Sequence, residues 1–451
     1  MYINNTVTGT KIKMLNGKHK EHVVIVGGGF GGLYAAKMLS RAGVKITVID
    51  KRNFHLFQPL LYQVAAGWLS PGEIASPLRV IFSRCKNVYV QNARVTDIDP
   101  EGKKVIFKDG ELHYDTLIVA TGSNHHYFGH DEWAETAPGL KTIEDALTIR
   151  KKILLSFEAA ERDSDPEEQR AWMTFLIIGA GPTGVELAGT IAELSHATLK
   201  SDFRNIDTTK ARIILVEAAD RVLRSYPPEL SRNAGEELTK LGVEIRLNTM
   251  VKNIQHNTAS IEMNGSRETI QARTILWTAG VKASRLGKTI EERTGAPLDN
   301  MGRVVVNTDL SVPGYPDILV IGDLANYSHQ GTEPLPGVAQ VAMQEGRYAA
   351  SLIEDRIKGK ETAPFKYQDK GSLAIIGSSY AVADLGRLRF SGFFAWLVWA
   401  LIHIGYLIEF ENRAVVFFRW AWNYFTRKRG VRLITGEDPL PLVKKSRDWD
   451  G

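Results

Sequence analysis

The stretch VVIVGGGFGGLYAAKML, residues 23–39, decides the fold of this chain. A short apolar, β-branched run meets a cluster of glycines, and an alanine-rich segment with helical periodicity follows, which predicts a buried strand, a tight turn and a helix. Gly27, Gly29 and Gly32 occupy the G-x-G-x-x-G positions, and a second apolar run, VKITVID, ends on Asp50. This spacing is typical of a dinucleotide site, in which the acid binds a ribose hydroxyl.

Each element of this fingerprint has a physical role. Gly27 permits the tight turn, Gly29 lets the backbone approach a pyrophosphate, and Gly32 lets the helix pack closely against the strand. The N-terminus of the helix then presents unpaired N–H groups and the positive end of its dipole to the phosphates.

A second fingerprint lies in TFLIIGAGPTGVELAGTI, residues 174–191, with its glycines at Gly179, Gly181 and Gly184. The next strand, ARIILVE, ends at Glu217 after an apparent insertion, SHATLKSDFRNIDTTK. An acid at this position accepts a free 2′-hydroxyl and repels a 2′-phosphate, which favours NADH over NADPH, although Arg221 could weaken the preference. Two fingerprints predict two dinucleotides, most economically a tightly held flavin and a nicotinamide that exchanges.

The composition is that of a globular protein with two or three domains. The chain has 451 residues, of which 24% are charged and 44% hydrophobic, so a large core can form. Its single cysteine, Cys85, excludes an internal disulfide framework, a cysteine-rich metal site and a paired-cysteine redox centre. The predicted fold class is α/β, with two Rossmann-like dinucleotide-binding domains.

The C-terminal region has a different character. Residues 393–408, within SGFFAWLVWALIHIGYLIEF, carry no formal charge except on His403 if it is protonated, and a helix of that length reaches about 24 Å, short of a hydrocarbon core of about 30 Å. Tryptophan and basic side chains beside apolar helices are typical of a membrane interface, so we predict a monotopic membrane anchor. A single span and a buried dimer interface remain alternatives. The tryptophans are Trp396, Trp399, Trp420 and Trp422, and the basic residues of 412–432 are Arg413, Arg419, Arg427, Lys428, Arg429 and Arg432.

Further motifs carry a family resemblance. ATG at 120–122 and TAG at 278–280 each follow a predicted strand, and ILVIGDLA, 318–325, places Asp323 at a strand end. With HLFQPLLYQVAAG, 55–67, and AQVAMQEG, 339–346, the sequence resembles the type II NADH dehydrogenases of the two-dinucleotide-domain flavoprotein superfamily. The resemblance implies a flavin domain, 22–138 and 306–360, interrupted by an NADH domain, 139–305. A disordered tail, 1–21, and a membrane-anchoring and dimerisation region, 361–451, complete the expected organisation.

The resemblance also implies site residues. Gln340 and Gln344 share one helical face and are expected beside the flavin at the quinone headgroup, or else only cap and pack. Glu186 is expected near the nicotinamide, where burial would raise its pKa and let it relay a proton, or where it only forms a hydrogen bond. The FAD-binding set is Gly27, Gly28, Gly29, Phe30, Gly31, Gly32, Asp50, Lys51, Gln58, Val95, Thr121, Gly122, Gly322, Asp323, Ala339 and Gln340. The NADH-binding set is Gly179, Gly181, Pro182, Thr183, Gly184, Glu186, Glu217, Ala279 and Gly280.

Three local expectations complete this set. The segment FQPLLYQ, 57–63, is expected to be irregular and to close over the flavin. Asp323 is expected to accept a hydrogen bond from the ribityl chain, and it could also cap a helix beginning at DLANY. His403 is more often a structural histidine than a headgroup ligand in such surroundings.

The resulting prediction is a membrane-associated flavoenzyme that oxidises NADH and reduces a membrane quinone through non-covalent FAD, without proton pumping. A homodimer, an anionic lipid surface and the cytoplasmic face of the membrane are expected, with no metal and no nucleic acid. Two alternatives stay open: a soluble NADH-dependent reductase that uses a diffusible carrier, and a membrane-docked flavoprotein that senses redox state. The sequence does not specify which quinone is used.

Overall fold

The computed structural model describes residues 20–426 and 430–434. Most of the predicted N-terminal tail, together with Arg427, Lys428 and Arg429 of the basic stretch, lies outside the described residues.

The first part of the chain builds a twisted sheet and its covering helices. Its strands are β1 (His22–Val26), β2 (Lys45–Asp50), β3 (Phe54–Leu56), β4 (Ala75–Pro77), β5 (Val88–Asn92), β6 (Val95–Asp99), β7 (Lys104–Phe107), β8 (Gly110–His113), β9 (Thr116–Val119) and β10 (Ser123–His125). Its helices are α1 (Phe30–Leu39), α2 (Leu61–Ala65), α3 (Pro71–Ile74), α4 (Leu78–Ile81) and α5 (Trp133–Thr136).

The middle of the chain builds the second dinucleotide unit. Its helices are α6 (Ile143–Arg162), α7 (Pro166–Trp172), α8 (Pro182–Glu193), α9 (Pro228–Lys240) and α10 (Leu286–Thr294). Its strands are β11 (Thr174–Ile178), β12 (Arg212–Val216), β13 (Val243–Arg246), β14 (Thr249–Gln255), β15 (Thr258–Met263), β16 (Ser266–Gln271), β17 (Thr274–Trp277) and β18 (Val281–Ala283).

The last part returns to the first unit and then forms a C-terminal layer. Its strands are β19 (Val304–Val305), β20 (Ser311–Val312), β21 (Tyr315–Val320), β22 (Ala325–Asn326), β23 (Ser372–Ile376), β24 (Tyr380–Asp384) and β25 (Arg389–Gly392). Its helices are α11 (Ala339–Ile357), α12 (Phe393–Tyr406) and α13 (Phe410–Thr426).

Two parallel sheets confirm the predicted fold class. The first has the strand order β20-β21-β9-β1-β2-β5, with β21, β9, β1, β2 and β5 parallel. The second has the order β13-β12-β11-β17 and is parallel throughout. Their central strands are continuous apolar runs because helices cover both faces of a parallel sheet. Since β21 joins β9 across about two hundred residues of chain, the first unit is assembled from two separate segments.

The C-terminal layer belongs to the hydrophobic core of the second unit. The antiparallel sheet β23-β24-β25 packs against α8, α9 and α12. Trp399 and Trp420, which are 1% and 6% exposed, join this core. These two indoles therefore do not lie at a membrane interface as the sequence analysis expected, because α12 and α13 turn them towards the protein and stack them on each other.

No helix in residues 20–426 or 430–434 is both long enough and apolar enough to cross a bilayer.

Two local expectations were wrong. Residues 57–63 are not irregular: Gln58–Leu60 forms a 3-10 turn that continues directly into α2, because Pro59 suits the first turn of a helix and apolar residues follow it. The residues after Asp323 do not begin a longer helix. Gly322–Leu324 forms one 3-10 turn and the chain then enters β22.

Candidate active site

One cavity of about 1480 Å³ lies where the two units and the C-terminal layer meet. The turn after β1, the end of β9 and the N-terminus of α11 line it from the flavin unit, and Pro182, Thr183 and Glu186 line it from α8. Ile402, His403 and Tyr406 of α12 close its far wall. The tertiary fold thus brings both fingerprints and the apolar C-terminal helix to one space.

The two glycine turns are built alike. Gly27 adopts φ +111° and Gly179 adopts φ +99°, a conformation that only glycine enters readily. A Cβ on Gly32 would approach the carbonyl oxygen of Gly27 to 1.9 Å, and one on Gly184 would approach that of Gly179 to 1.9 Å. Both helices therefore need glycine at these positions to pack against their strands.

The acid of each fingerprint accepts a backbone hydrogen bond from the glycine turn of the same fingerprint. Asp50 Oδ2 accepts the N–H of Gly28 at 2.6 Å, and Glu217 Oε2 accepts the N–H of Ala180 at 2.6 Å. The sequence pattern predicts only a contact with ribose. The structure adds a second role for each carboxylate, which is to fix the turn that would receive the phosphates.

Of the predicted FAD-binding residues, all but Gly32 line the cavity, and Gly32 lies behind the turn. Of the predicted NADH-binding residues, three line it, namely Pro182, Thr183 and Glu186. The others lie on the second fingerprint turn and its neighbouring strand ends, outside the cavity wall: Gly179, Gly181, Gly184, Glu217, Ala279 and Gly280.

Asp323 belongs to a polar network that the sequence analysis missed in part. Ser123 donates to Asp323 Oδ2 at 2.6 Å, and Lys141 Nζ donates to Ser123 Oγ at 2.5 Å. The ammonium of Lys141 also lies 3.5 Å from the Asp323 carboxylate. Neither Ser123 nor Lys141 belongs to a quoted motif, so only the fold identifies them.

Glu186 has an unusual environment. Burial raises the pKa of its carboxyl to about 8, while a hydrogen bond from the Ile375 backbone opposes the shift. The carboxyl lies deep in the protein, yet part of the side chain remains open to the cavity. The expectation that burial would raise this pKa is confirmed, and at neutral pH the group holds a proton that it can release.

Gln340 and Gln344 have different positions. Gln340 lines the cavity; its amide nitrogen donates to Gly371 O at 3.0 Å and, in a longer contact, to Asp369 Oδ1 at 3.5 Å, while its amide oxygen accepts the N–H of Lys370 at 3.1 Å. Gln344 does not line the cavity and pairs with the backbone of Gln368 through both amide atoms, at 2.9 and 3.0 Å. The structure therefore does not bring Gln344 to the site expected for it, because its side chain pairs with the backbone of Gln368 outside the cavity lining.

Comparisons with known proteins agree with this geometry. The model of the Pyridine nucleotide-disulphide oxidoreductase family matches residues 21–346, and that of the NDH2 C-terminal domain matches residues 370–429. The type II NADH:quinone oxidoreductase Ndh of Mycobacterium tuberculosis is 47% identical over 433 residues, which cover 94% of this chain and 92% of that protein. The chain belongs to the type II NADH:quinone oxidoreductase family. A solved structure of NDH2 from Plasmodium falciparum in complex with NADH has the same fold, with a TM-score of 0.81 at 21% identity over 91% of this chain and 99% of that one.

Type II NADH:quinone oxidoreductases are flavoenzymes that oxidise NADH and reduce quinone, so FAD is the cofactor and NADH the substrate of this chain. FAD supplies the chemistry of accepting a hydride and passing its two electrons on. The first fingerprint fits this group. Apart from its chain neighbours, no described residue lies within 4 Å of a Cβ built on Gly29, and α1 has no side-chain cap, so the N–H groups of its first turn can bind a pyrophosphate.

The cavity wall on the C-terminal side also contains residues whose position the sequence did not reveal. The Nδ1 atom of His403 lies 2.7 Å from the carbonyl oxygen of Trp399, and burial lowers the pKa of His403 to about 4. The ring of His403 also stacks on Trp399. Because the carbonyl can only accept, Nδ1 carries the proton and Nε2 is an acceptor.

Two of the basic residues that the sequence analysis assigned to the predicted anchor form ion pairs within the protein. Arg419 pairs with the buried Glu73 at 2.9 Å, and Arg432 pairs with Asp202. These two arginines fasten the C-terminal region to the protein and are not free for lipid headgroups.

Proposed function

We propose that this protein transfers the electrons of NADH to a quinone dissolved in a bilayer, at the cavity shared by α8, α11 and α12. One observation carries the proposal: the wall that contains the second fingerprint helix and the wall formed by Ile402, His403 and Tyr406 enclose the same space. A water-soluble donor and an apolar acceptor would thus reach one redox group from different sides.

The donor side uses the second fingerprint. Gly179, Gly181 and Gly184 would let the pyrophosphate approach the N-terminus of α8, which has no side-chain cap. The carboxylate of Glu217 would accept the ribose hydroxyls while it holds the turn. Pro182 and Thr183 would place the nicotinamide against the Glu186 wall, since both line the cavity.

The acceptor side uses Gln340 and Glu186. The amide hydrogen of Gln340 that makes the long 3.5 Å contact with Asp369 would donate instead to a quinone carbonyl. Reduction of a quinone to a quinol needs two electrons and two protons, whereas NADH delivers one hydride, so a second proton has to come through the protein. Glu186 is suited to hold that proton, because its carboxyl is protonated at neutral pH.

The outer face of the C-terminal helices supports docking on a lipid surface. We define the apolar face as Phe393, Phe394, Leu397, Leu401, Phe417, Phe418 and Trp422, all exposed on α12 and α13. A monomeric soluble protein rarely leaves so many large apolar side chains together in water. Insertion of this face into one leaflet would bring the α12 wall of the cavity to the bilayer, with anionic headgroups and Arg413 at its edge.

The membrane part of the proposal is tested with Phe394→Ser combined with Phe418→Ser, whose side chains are 66% and 70% exposed. Loss of their insertion removes about 3 kcal/mol, which corresponds to a hundredfold weaker binding. We expect reduced co-sedimentation with anionic vesicles and slower reduction of a long-chain quinone in them. Turnover with a water-soluble quinone analogue should remain.

The matched control is Val80→Ser combined with Tyr89→Ser, residues that are 54% and 55% exposed in the flavin unit. It should leave vesicle binding unchanged. Full binding and turnover by the phenylalanine variant would favour the soluble reductase with a diffusible carrier. A wild-type protein that holds FAD and NADH but reduces neither menaquinone nor ubiquinone analogues would refute the proposal itself.

The homodimer and the cytoplasmic face stay predictions. NADH is supplied from the cytoplasm, so the donor side of the cavity should face it. Analytical ultracentrifugation of the FAD-loaded protein in detergent tests the dimer. Accessibility of the protein to protease in inverted and right-side-out vesicles tests the orientation.

A further inference from the structure

A chain of buried hydrogen bonds runs from α13 to the wall of the cavity. Trp420 Nε1 donates to Gln63 Oε1 at 2.8 Å, and Gln63 Nε2 donates to the hydroxyl oxygen of Tyr62 at 2.8 Å. All three side chains are nearly inaccessible, with exposed fractions of 6%, 2% and 3%. The chain joins residues that are 357 positions apart in the sequence.

The direction of every bond in this chain is fixed by chemistry. An indole N–H can only donate, so the carbonyl oxygen of the Gln63 amide has to face Trp420. The amide nitrogen then faces Tyr62 and donates to its oxygen. The hydroxyl of Tyr62 is therefore an acceptor in its contact with Gln63, and its own proton has to point elsewhere.

Among the side chains that the structure describes, which do not include those of residues 410 and 423–429, and among the backbone carbonyls of residues 20–426 and 430–434, none accepts that proton. A buried donor without an acceptor is costly, which indicates that a ligand provides one. Tyr62 lines the cavity together with Glu186 and Tyr226. Burial, and the nearby Glu186 carboxylate, raise the pKa of Tyr62, so its hydroxyl keeps the proton at any physiological pH.

We propose that Tyr62 donates a hydrogen bond to a conjugated carbonyl oxygen of the substrate bound beside Glu186, and that Trp420 and Gln63 are the positioning residues that direct its proton there. The inference rests on the proposed function, because two ligands of that reaction carry such an oxygen: the nicotinamide carboxamide and the quinone ring. It also means that α13, the helix that would contact the membrane, helps to set the hydrogen bonding of the redox site.

The test separates the two half-reactions by stopped flow with the FAD-loaded protein. Tyr62→Phe removes only the hydroxyl. We expect it to slow one half-reaction about tenfold, since one substrate hydrogen bond is lost. A slower reduction by NADH identifies the carboxamide as the acceptor, and a slower reoxidation by a quinone analogue identifies the quinone.

Trp420→Phe tests the positioning role. Without the indole N–H, the Gln63 amide can turn end for end and accept the Tyr62 proton itself. The variant should then slow the same half-reaction as Tyr62→Phe, and the double variant should be no slower than Tyr62→Phe alone.

Trp399→Phe is the matched control. Trp399 stacks on Trp420 at 5.0 Å and is as deeply buried, but its Nε1 has no hydrogen-bond partner in the described part of the chain. It should leave both half-reactions close to those of the wild type. Unchanged half-reactions in Tyr62→Phe would overturn the proposal, and so would equal losses in Trp399→Phe and Trp420→Phe. If the reduced FAD of the wild-type protein does not react with quinone, the proposed function itself is contradicted.

Discussion

At the scale of single residues, two buried carboxyls dominate the chemistry. Burial raises the pKa of Glu186 and of Glu345 to about 8 in each case. Glu186 lines the cavity, whereas Glu345 accepts the Gly322 N–H at 2.5 Å behind it. Similar pKa shifts thus belong to one group that can exchange a proton with a ligand and to one, 1% exposed, that anchors a turn.

The first prediction concerns Glu186→Gln and the pH dependence of turnover. The wild-type kcat should fall as the pH rises through about 8, because the carboxyl then loses the proton it supplies. The kcat of the variant should not show this fall near pH 8 and should be about a hundredfold lower. Steady-state profiles with a water-soluble quinone analogue measure both effects.

Glu345→Gln is the control, and its kcat should still fall as the pH rises through about 8.

Both substitutions should also change how the free energy of unfolding depends on pH. The folded protein holds protons on these carboxyls up to about pH 8, while the unfolded chain releases them near its ordinary value of 4.5. The free energy of unfolding should therefore fall as the pH rises through this window, less so in either variant. If the kcat of Glu186→Gln still falls as the pH rises through about 8, Glu186 does not deliver the proton.

The second prediction concerns Glu217→Gln and nucleotide choice. The carboxylate repels a 2′-phosphate, so loss of its charge should raise the ratio of kcat/KM for NADPH to that for NADH about tenfold. Asp50→Asn, the equivalent change in the first fingerprint, should weaken FAD retention and leave that ratio unchanged. An identical ratio in Glu217→Gln would show that Arg221 already cancels the charge.

At the scale of elements, close helix packing holds the flavin unit together. Helices α1 and α11 cross in tight contact. A Cβ on Gly346 of α11 would come within 2.3 Å of the carbonyl oxygen of Gly31 in α1. Because the atom that such a Cβ would meet belongs to the backbone of α1, the clash cannot be relieved by a side-chain rotation. This contact therefore fixes the N-terminus of α11 beside the cavity.

The third prediction is that Gly346→Ala destabilises the protein by about 2 kcal/mol through overpacking. Urea unfolding monitored by tryptophan fluorescence measures the loss, and flavin retention should fall with it. Gly405→Ala in α12 is the control, since no described residue outside its own helical turn lies within 4 Å of a Cβ built there, and it should be neutral or slightly stabilising. Equal stability of the two variants would contradict the tight crossing.

At the scale of the whole molecule, the C-terminal helices are part of the fold as well as the proposed membrane anchor. Three polar contacts join α13 to the segment between β3 and α4 that also lines the cavity. They are Trp420 with Gln63, Arg419 with Glu73, and Asn412 with Ser76 at 3.1 Å.

The fourth prediction is that a chain ending at residue 390 does not remain a soluble, flavin-loaded enzyme. Removal of α12 and α13 would uncover the core surface against which Trp399 and Trp420 pack, and would remove the partner of one oxygen of each of the buried side chains Glu73 and Gln63. Loss of two buried aromatic side chains alone costs several kcal/mol. Size-exclusion chromatography and flavin absorbance measure the outcome, and a monodisperse yellow protein would contradict it.

The sequence was sufficient for the parts of the site that are local in the chain. Strand, glycine turn and helix follow within about twenty residues, and each acid lies at the end of the next strand, so the places of Gly27, Asp50 and Gly179 on the turns and strand ends could be predicted from spacing, while the nucleotide atoms they contact stay predictions. The apolar C-terminal helices were also predictable, because a run of apolar residues can be recognised without knowing what packs against it, while their role as an anchor stays a prediction. What spacing could not show was the partner of each polar side chain.

By itself, therefore, the sequence determined the two dinucleotide units, the family and the apolar C-terminal helices, because backbone sterics and hydrophobic periodicity act over short stretches of chain. Only the tertiary structure decided that Gln344 turns to Gln368, that Lys141 reaches Ser123, and that Trp420 and Gln63 orient Tyr62. The physical reason is that a hydrogen bond depends on distance and direction in space, and these partners lie from 18 to 357 residues apart along the chain, apart from the adjacent pair Tyr62 and Gln63.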